Sequence, residues 1–220
     1  MLGYYVSSYL DFVGLLYITA GLERLILFLY PTFAVLINHF MFGQPIEKNQ
    51  RIALLLTYIG IGLAFWGELG MDSANQHFFL GSFLVFLCSV TYAFYIVGSG
   101  KMIPQTGATK FTAYAMLGAT AGIFIHFIIK GNYSILHQQG AIWGYGILLA
   151  LIATVIPSFL ISFGMKKIGS NNVAILSSIG PVSTIVQAHY FLGEKIFTEQ
   201  IIGTVLVVFG ILLLGRRRKN

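Results

Sequence analysis

Three charged residues lie inside or at the start of long apolar segments early in the sequence. Asp11 falls in the middle of one apolar run, and Glu23 and Arg24 begin the next one. An ionised carboxylate at the centre of a bilayer costs about 2.5–3.5 kcal/mol on insertion scales. Asp11 should therefore face the interior of a helix bundle. There it would serve in proton coupling, bind a cationic group, or make a structural hydrogen bond to another helix.

The charged pair and three deeper tyrosines each have a structural and a functional interpretation. A Glu near a helix N-terminus is favoured by the helix dipole, so Glu23 and Arg24 fit a capped, paired turn at the membrane surface. The alternative is a polar entrance to a cavity. Tyr30, Tyr92 and Tyr95 are candidates to line a pocket that stacks an organic solute, with core packing as the simpler interpretation.

Two prolines and two histidines recur at matching places in the chain. Pro31 and Pro181 each lie near the middle of an apolar run, where a proline removes a backbone hydrogen bond and kinks the helix. This predicts either a broken helix that lines a substrate path or a packing kink. His39 and His189 are candidates for gating or proton shuttling, although hydrogen-bonded packing is the simpler interpretation. They fall at opposite membrane faces, so they cannot share a metal ion.

The elements that must position these residues are apolar helices. Of the 220 residues, 57% are hydrophobic and 9% are charged, whereas a soluble domain carries roughly 25% charged residues. Each crossing of a bilayer needs about 20 apolar residues. The sequence therefore predicts an all-α membrane protein, a polytopic bundle of about eight transmembrane helices. The apolar runs occupy 2–18, 21–42, 51–68, 77–99, 109–129, 141–164, 171–192 and 197–215.

The positions of lysine and arginine predict the orientation in the membrane. Cytoplasmic loops carry an excess of these residues. One set of alternating loops and the tail 216–220 holds most of them, and the other set holds only Arg24, Lys130 and Lys195. We therefore expect both termini to be cytoplasmic and the protein to lie in the cell (inner) membrane. The basic residues form no stripe with interleaved aromatics, so nucleic acid is not an expected partner.

Two parts of the sequence resemble each other. A shift of 150 positions superposes the most informative residues of the first part on identical residues near the end. Apolar composition alone would match leucines and isoleucines, but it would not so easily match proline, histidine, glutamine and glycine in one register. The matched pairs include Gly14/Gly164, Pro31/Pro181, His39/His189, Gly43/Gly193, Gln50/Gln200 and Gly60/Gly210.

The repeat predicts a design of two five-helix units. On this interpretation residues 1–68 are a partial first unit, 77–215 are a complete second unit, and 216–220 form a basic cytoplasmic tail. No Lys or Arg precedes Arg24, so we expect the chain to lack the first two helices of a ten-helix inverted repeat. Units with an odd number of helices cross the membrane in opposite senses, which is typical of secondary transporters.

Several stretches also resemble one known family. The segments 14–21 and 22–31, followed by Gly43-Gln44-Pro45-Ile46, resemble the third and fourth helices of the EamA family of the drug/metabolite transporter superfamily. Segment 168–174, Gly180-Pro181 and 191–195, with its Leu-Gly-Glu helix end, resemble the same pattern. The resemblance covers essentially the whole chain as helices three to ten. The first copy departs from it in having Gln44 where the second has Glu194.

The resemblance implies a secondary transporter that moves a small organic solute by alternating access. The alternative is a non-transporting membrane fragment or subunit that needs a partner to complete the bundle. The chain contains no Walker loop, no Cys/His metal set and no Ser-His-Asp arrangement. The sequence therefore predicts neither an enzyme nor a cofactor. Proton coupling and a homodimer are compatible with it, and the solute and the transport direction are not specified.

Overall fold

The computed structural model describes residues 2–43, 45–46, 48–69, 76–131, 140–177, 180, 183, 186–193 and 196–215. Within these ranges the regular structure is helical throughout. The predicted kink at Pro181 and the basic tail 216–220 lie outside the described residues. The structure therefore supports the all-α class.

Nine α-helices follow one another within the described ranges. Three short π-helical segments accompany them. Leu2–Val6 precedes α1, Ala150–Val155 joins α7 to α8, and Ala188–Leu192 precedes α9. The described α-helices are α1 (Ser7–Gly14), α2 (Ala20–Leu27), α3 (Tyr30–Phe42), α4 (Lys48–Leu69), α5 (Phe78–Thr106), α6 (Ala108–Lys130), α7 (Gly140–Leu149), α8 (Ile156–Ser177) and α9 (Thr198–Gly215).

Four helical stretches within the described residues are long and apolar enough to cross a membrane. They are Ala20–Phe42, Phe78–Thr106, Ala108–Lys130 and Gly140–Lys167, and shorter apolar helices cover Arg51–Ala64 and Thr198–Gly210. Many large apolar side chains on these helices face outward. Such an outer surface suits lipid rather than water, so the chain is an all-α, multi-pass membrane protein.

Two predicted helix ends differ from the structure. The polar stretch Lys166–Asn171 was expected to be a loop, but α8 continues through it to Ser177. The stretch contains no proline, so its backbone hydrogen bonds remain available despite its polar side chains. The first helix was expected to reach residue 18 but ends at Gly14, and a turn over Leu15–Ile18 precedes Thr19, which caps α2 through the Leu22 amide.

The predicted second helix is broken in the structure. Its two parts, α2 and α3, meet at Phe28 and Leu29, just before Pro31. Proline has no amide hydrogen and its ring collides with the carbonyl of the preceding turn, so a straight helix cannot pass this point. The Leu29 carbonyl oxygen instead accepts a hydrogen bond from the Thr32 hydroxyl at 2.6 Å. The break therefore has its own buried cap.

Helix α5 lies at the centre of the described bundle and contacts α1, α2, α3, α6 and α8. It meets α1 through two glycines. An ideal Cβ on Gly14 would lie 2.9 Å from the Gly81 carbonyl oxygen, and an ideal Cβ on Gly81 would lie 2.9 Å from the Gly14 carbonyl oxygen. Close backbone approach through small residues is typical of membrane helices. Helix α5 therefore forms the surface against which the first three helices pack.

Helices α4 and α9 form the most closely packed pair. An ideal Cβ on Gly60 would lie 2.6 Å from the Gly203 carbonyl oxygen, and one on Gly210 would lie 2.9 Å from the Ala53 carbonyl oxygen. Ala53, which is nearer the start of α4 than Gly60, contacts Gly210, which is nearer the end of α9 than Gly203. The two helices are therefore antiparallel, with glycines where their backbones touch.

A hydrogen bond links α6 to α8 within the bundle. The Thr112 hydroxyl lies 2.6 Å from the Ser162 hydroxyl, and both side chains are buried. We expect Thr112→Val to lower the free energy of unfolding by about 1 kcal/mol, since interhelical hydrogen bonds in membranes have this size. Unfolding in detergent would measure the loss. Adding Ser162→Ala to Thr112→Val should lower the free energy of unfolding little further. If the losses from the two substitutions simply add, the two hydroxyl groups do not share a hydrogen bond.

Candidate functional site

The charged residues of the first two helices come together in the structure. Asp11 lies one turn before the end of α1 and Glu23 lies one turn after the start of α2. A turn over Leu15–Ile18 separates the two helices. Their carboxyl groups lie within range of a side-chain hydrogen bond, and Arg24 Nε lies 3.3 Å from Glu23 Oε2.

One of these charged residues is buried, and the other two are partly exposed. Glu23 is 2% exposed, whereas the Arg24 side chain is 42% exposed. Charged side chains are almost never fully buried unless they are paired. The cluster of Asp11, Glu23 and Arg24, which we call the charged cluster, therefore departs from ordinary packing. The pairing of Glu23 with Arg24 was expected from the sequence, whereas the burial of Glu23 was not.

Several polar atoms of the charged cluster have no hydrogen-bond partner among the described residues. They are Asp11 Oδ1, Glu23 Oε1 and Arg24 Nε, and a fourth such atom, Ser82 Oγ, lies on α5. The Arg24–Glu23 contact has the distance of an ion pair but not the geometry of a hydrogen bond. Buried polar groups in proteins are nearly always satisfied by protein or water. The cluster therefore offers two acceptors and one donor to water or a ligand.

Helix α5 carries a thiol and a phenol within electrostatic range of the charged cluster. Cys88 lies within electrostatic range of Asp11, Glu23 and Arg24. One helical turn further on, Tyr92 lies within electrostatic range of Arg24 and Tyr30. Cys88 lies within an apolar run, where a small core residue is the simplest interpretation of the sequence. Its spacing from Tyr92 and Tyr95, which places all three on one helix face, is the signal that would have located it.

A row of aromatic rings extends from the charged cluster. Tyr30 and Tyr92 meet edge to face, with ring centroids 5.1 Å apart, and Tyr92 and Tyr95 are 5.9 Å apart. The Tyr95 hydroxyl donates to the Tyr4 hydroxyl at 3.0 Å, and its ring stacks on Phe111 at 6.0 Å. The structure thus places the three predicted tyrosines in one aromatic row, which joins the π-helical turn Leu2–Val6 to α3, α5 and α6.

The break before Pro31 positions this row against the charged cluster. Tyr30 begins α3 and Pro31 follows it, and both are buried. A turn at Phe28 and Leu29 separates α2 from α3, so Glu23 and Tyr30 lie on separate helical segments. Pro31 therefore sets the geometry of the site without contributing a polar group of its own.

The remaining predicted residues lie elsewhere. His39 is partly buried near the end of α3, and its ring contacts Phe40 at 5.1 Å. His189 is exposed, with its ring 5.5 Å from that of Tyr190. Neither histidine contributes to the charged cluster, and Pro181 lies outside the described residues. In the part of the chain that the structure describes, no group of three or more His, Cys, Asp or Glu residues could hold a metal ion.

The arrangement is suited to holding one polar, partly aromatic molecule or a proton. The two carboxyl groups can accept hydrogen bonds or share a proton, and the guanidinium donates. The adjoining rings offer apolar surface and aromatic faces. No described residue of the cluster is placed as a nucleophile next to a general base. The chemistry available is therefore binding and proton transfer.

The comparisons with known proteins agree on one family. A sequence model of the EamA-like transporter family matches residues 79–216. The chain is 32% identical over 218 residues to the "Uncharacterized transporter YcbK" of Bacillus subtilis, covering 94% of this chain and 67% of that protein. It is 24% identical over 196 residues to an "Uncharacterized transporter" of Archaeoglobus fulgidus, covering 89% and 67%.

A relative with a named solute is more distant. The chain is 26% identical over 176 residues to the "Biotin transporter" of Escherichia coli K12, which covers 79% of this chain and 57% of that protein. The matched region includes more than half of each protein. Relatives that are named transporters thus occur in bacteria and in an archaeon.

Proposed function

Because the chain belongs to the EamA-like transporter family, we propose that it is a secondary transporter that moves a small organic solute across the membrane by alternating access. The observation that carries the proposal is the charged cluster. It has buried polar atoms without a partner among the described residues, and its Arg24 lies within electrostatic range of Tyr92 in the aromatic row. A bundle that served only to pack would satisfy these atoms, because leaving a polar group unpaired in an apolar interior costs free energy.

The two-unit organisation is part of the proposal. Residues 1–68 would belong to a partial first unit and 77–215 to a complete second unit of a ten-helix inverted repeat, with 216–220 as a cytoplasmic tail. In the sequence, a shift of 150 positions exchanges Gly60 with Gly210 and Ala53 with Gly203. The contact of Gly60 with Gly203 then becomes the contact of Gly210 with Ala53, and both contacts are present.

The antiparallel direction of α4 and α9 also supports the inverted repeat. These helices are the proposed counterparts in the two units, and a two-fold axis in the membrane plane would run them in opposite directions. Under the same shift of 150 positions, Gly60 corresponds to Gly210 and Val207 corresponds to Thr57. The structure contains both contacts, that of Gly60 with Val207 and that of Gly210 with Thr57. Two halves related in this way can exchange conformations, which is the basis of alternating access.

Contacts at the two ends of the bundle support the proposed topology. Lys101, near the end of α5, lies with its Nζ atom 2.8 Å from the centroid of the Phe42 ring at the end of α3. At the other end of α5, the His77 ring lies 5.2 Å from that of Tyr17. The ends of α3 and α5 are therefore on the same side, as the distribution of lysine and arginine requires.

The proposed cytoplasmic C-terminus gives a direct prediction. A green fluorescent protein fused after Asn220 should fluoresce in cells, because that reporter folds in the cytoplasm, and an alkaline phosphatase at the same place should stay inactive. The basic residues of the tail favour this side. An active phosphatase with a dark fluorescent fusion would contradict the orientation and would place both termini outside.

A proteoliposome assay tests the function. The purified chain would be reconstituted and exposed to amino acids, organic amines and biotin under an imposed pH gradient. Empty vesicles and an Asp11→Asn variant serve as controls. We expect at least one solute to move faster than in empty vesicles and to respond to the gradient. If the correctly folded and oriented chain moves no solute, the alternative of a subunit that needs a partner gains support.

Pro31 provides a test of the helix break. The Pro31→Ala variant can form the backbone hydrogen bond that proline prevents, so we expect α2 and α3 to straighten toward one helix. The straightened helix would move Tyr30 relative to Glu23 and should reduce solute flux about 10-fold, with little loss of stability. Flux and thermal unfolding in detergent would be measured together. Unchanged flux would show that the break is only a packing kink.

A further inference from the structure

The charged cluster lacks one positive charge. If Asp11, Glu23 and Arg24 are all ionised, two negative charges face one positive charge, and Glu23 is 2% exposed. An uncompensated charge in an apolar interior is costly. One further monovalent positive charge makes the cluster neutral. The positions of Asp11 Oδ1 and Glu23 Oε1, both buried and without a hydrogen-bond partner among the described residues, show where it would bind.

We propose that the Asp11 and Glu23 carboxyl groups form a single site for one monovalent positive charge. A proton occupies the site when no solute is bound, and the ammonium group of an organic amine occupies it when solute is bound. This inference rests on the proposed transport function and names the class of solute. It also gives the two carboxyl groups one shared task rather than separate ones.

The geometry suits both occupants. A hydrogen bond between two carboxyl groups requires a proton on one of them, and the two groups lie within range of such a bond. An ammonium group carries three donors, which is enough for Asp11 Oδ1 and Glu23 Oε1, the two acceptors without a partner among the described residues. The Arg24 Nε donor remains for an acceptor on the solute or for water. The Tyr92 ring lies within electrostatic range of Arg24 and contacts the Tyr30 ring, and aromatic faces attract cations.

The exchange of the two occupants keeps the cluster neutral. When the ammonium group enters, the shared proton leaves to water, no covalent bond changes, and two carboxylates then face the guanidinium and the ammonium. A carboxylate solute such as biotin would require the cluster to take up a proton rather than release one. It would pair with Arg24, and both carboxyl groups would have to be protonated for neutrality. Amine binding therefore releases a proton, whereas carboxylate binding takes one up.

The neighbouring titratable groups do not supply the missing charge. Those on the helices packed against the cluster are thiol and phenol groups, which are neutral near pH 7 at their ordinary pKa values. His77 contacts Tyr17 at the end of α5, Lys101 contacts Phe42 at its other end, and Glu199 on α9 is exposed. The thiol and phenol groups are Cys88 and Tyr92 on α5, Tyr30 on α3 and Tyr58 on α4.

Calorimetric titration of the purified full chain in detergent tests the inference. The probes are 2-phenylethylamine, its neutral isostere 2-phenylethanol, and biotin, each titrated near pH 7 in two buffers of different ionisation enthalpy. We expect the amine to bind and to release about one proton per molecule bound. We expect the alcohol to bind at least about 10-fold more weakly, because it leaves the carboxylates without a counter-charge. Asp11→Asn and Glu23→Gln should each lose amine binding, while Glu199→Gln should keep it.

Other results would overturn the inference. Biotin that binds with proton uptake, together with an amine that does not bind, would show that the site takes anions and would leave the transport function intact. Amine binding that survives in both carboxyl variants would place the site elsewhere. Proton release on amine binding without flux in proteoliposomes would support the site and contradict transport. If a variant fails to fold, the proton count of the unaltered chain still decides.

Discussion

Replacing Glu23 with Gln should reduce solute flux by about 10- to 100-fold. Glutamine keeps the size of the side chain but removes the negative charge that faces Asp11 and Arg24. A hydrogen bond to a charged group contributes about 1.5–3 kcal/mol, and each 1.4 kcal/mol corresponds to about a tenfold change in binding. Initial rates of uptake into proteoliposomes would measure the effect. Asp11→Asn should have a similar effect for the same reason.

The two carboxyl variants should not act independently. If Asp11 and Glu23 share one site, the double variant should transport about as well as either single variant, because the first change already destroys the site. Glu199→Gln is the matched control, since Glu199 is exposed in the first turn of α9, and it should transport normally. Normal flux in Glu23→Gln would contradict a role for the charged cluster in transport.

Replacing Gly60 with Leu should destabilise the bundle by about 3 kcal/mol or more. A Cβ at this position would lie 2.6 Å from the Gly203 carbonyl oxygen and 3.0 Å from Val207 Cγ2. Overpacking usually costs about 1–3 kcal/mol, and here the obstructing atom belongs to the backbone, which cannot rotate away. Helices α4 and α9 would have to separate. Thermal unfolding of the purified protein in detergent would measure the loss.

The same helix offers a matched control for this substitution. A Cβ on Gly62 would meet nothing within 4 Å, and Gly62 is exposed. Gly62→Leu should therefore leave stability unchanged or raise it slightly, because leucine favours a helix more than glycine does. Equal losses at Gly60 and Gly62 would show that the cost comes from the helix backbone in general rather than from contact with α9.

The sequence predicted the members of the charged cluster and the pairing of Glu23 with Arg24, but not the approach of Asp11 to Glu23. Charged residues in apolar runs are visible in a sequence because their insertion cost is large. The distance between Asp11 and Glu23 depends on where α1 ends, and hydropathy cannot distinguish an apolar turn from an apolar helix. The turn Leu15–Ile18 is largely apolar, so the predicted helix extended through it. The burial of Glu23 was missed for the same reason.

Helix boundaries were predicted best where glycine or proline marks them. The break before Pro31 and the ends of α3 and α6, at Gly43 and Gly131 with positive φ, lie close to the predicted positions. The Lys166–Asn171 prediction was wrong because polarity alone was taken as a loop signal. Helix α5 extends past residue 99 to Thr106 although Pro104 cannot donate the backbone hydrogen bond that another residue would make there.

The central claim is that the charged cluster is exposed to each side of the membrane in turn, and labelling of Cys88 tests it most directly. Cys88 is the single cysteine of the chain, is 3% exposed, and lies beside the cluster. A charged, impermeant thiol reagent would be added to membrane vesicles of each orientation, and the modified fraction would be measured by mass spectrometry. Alternating access predicts slow labelling from both sides. Labelling from one side only, or from neither, would contradict the claim.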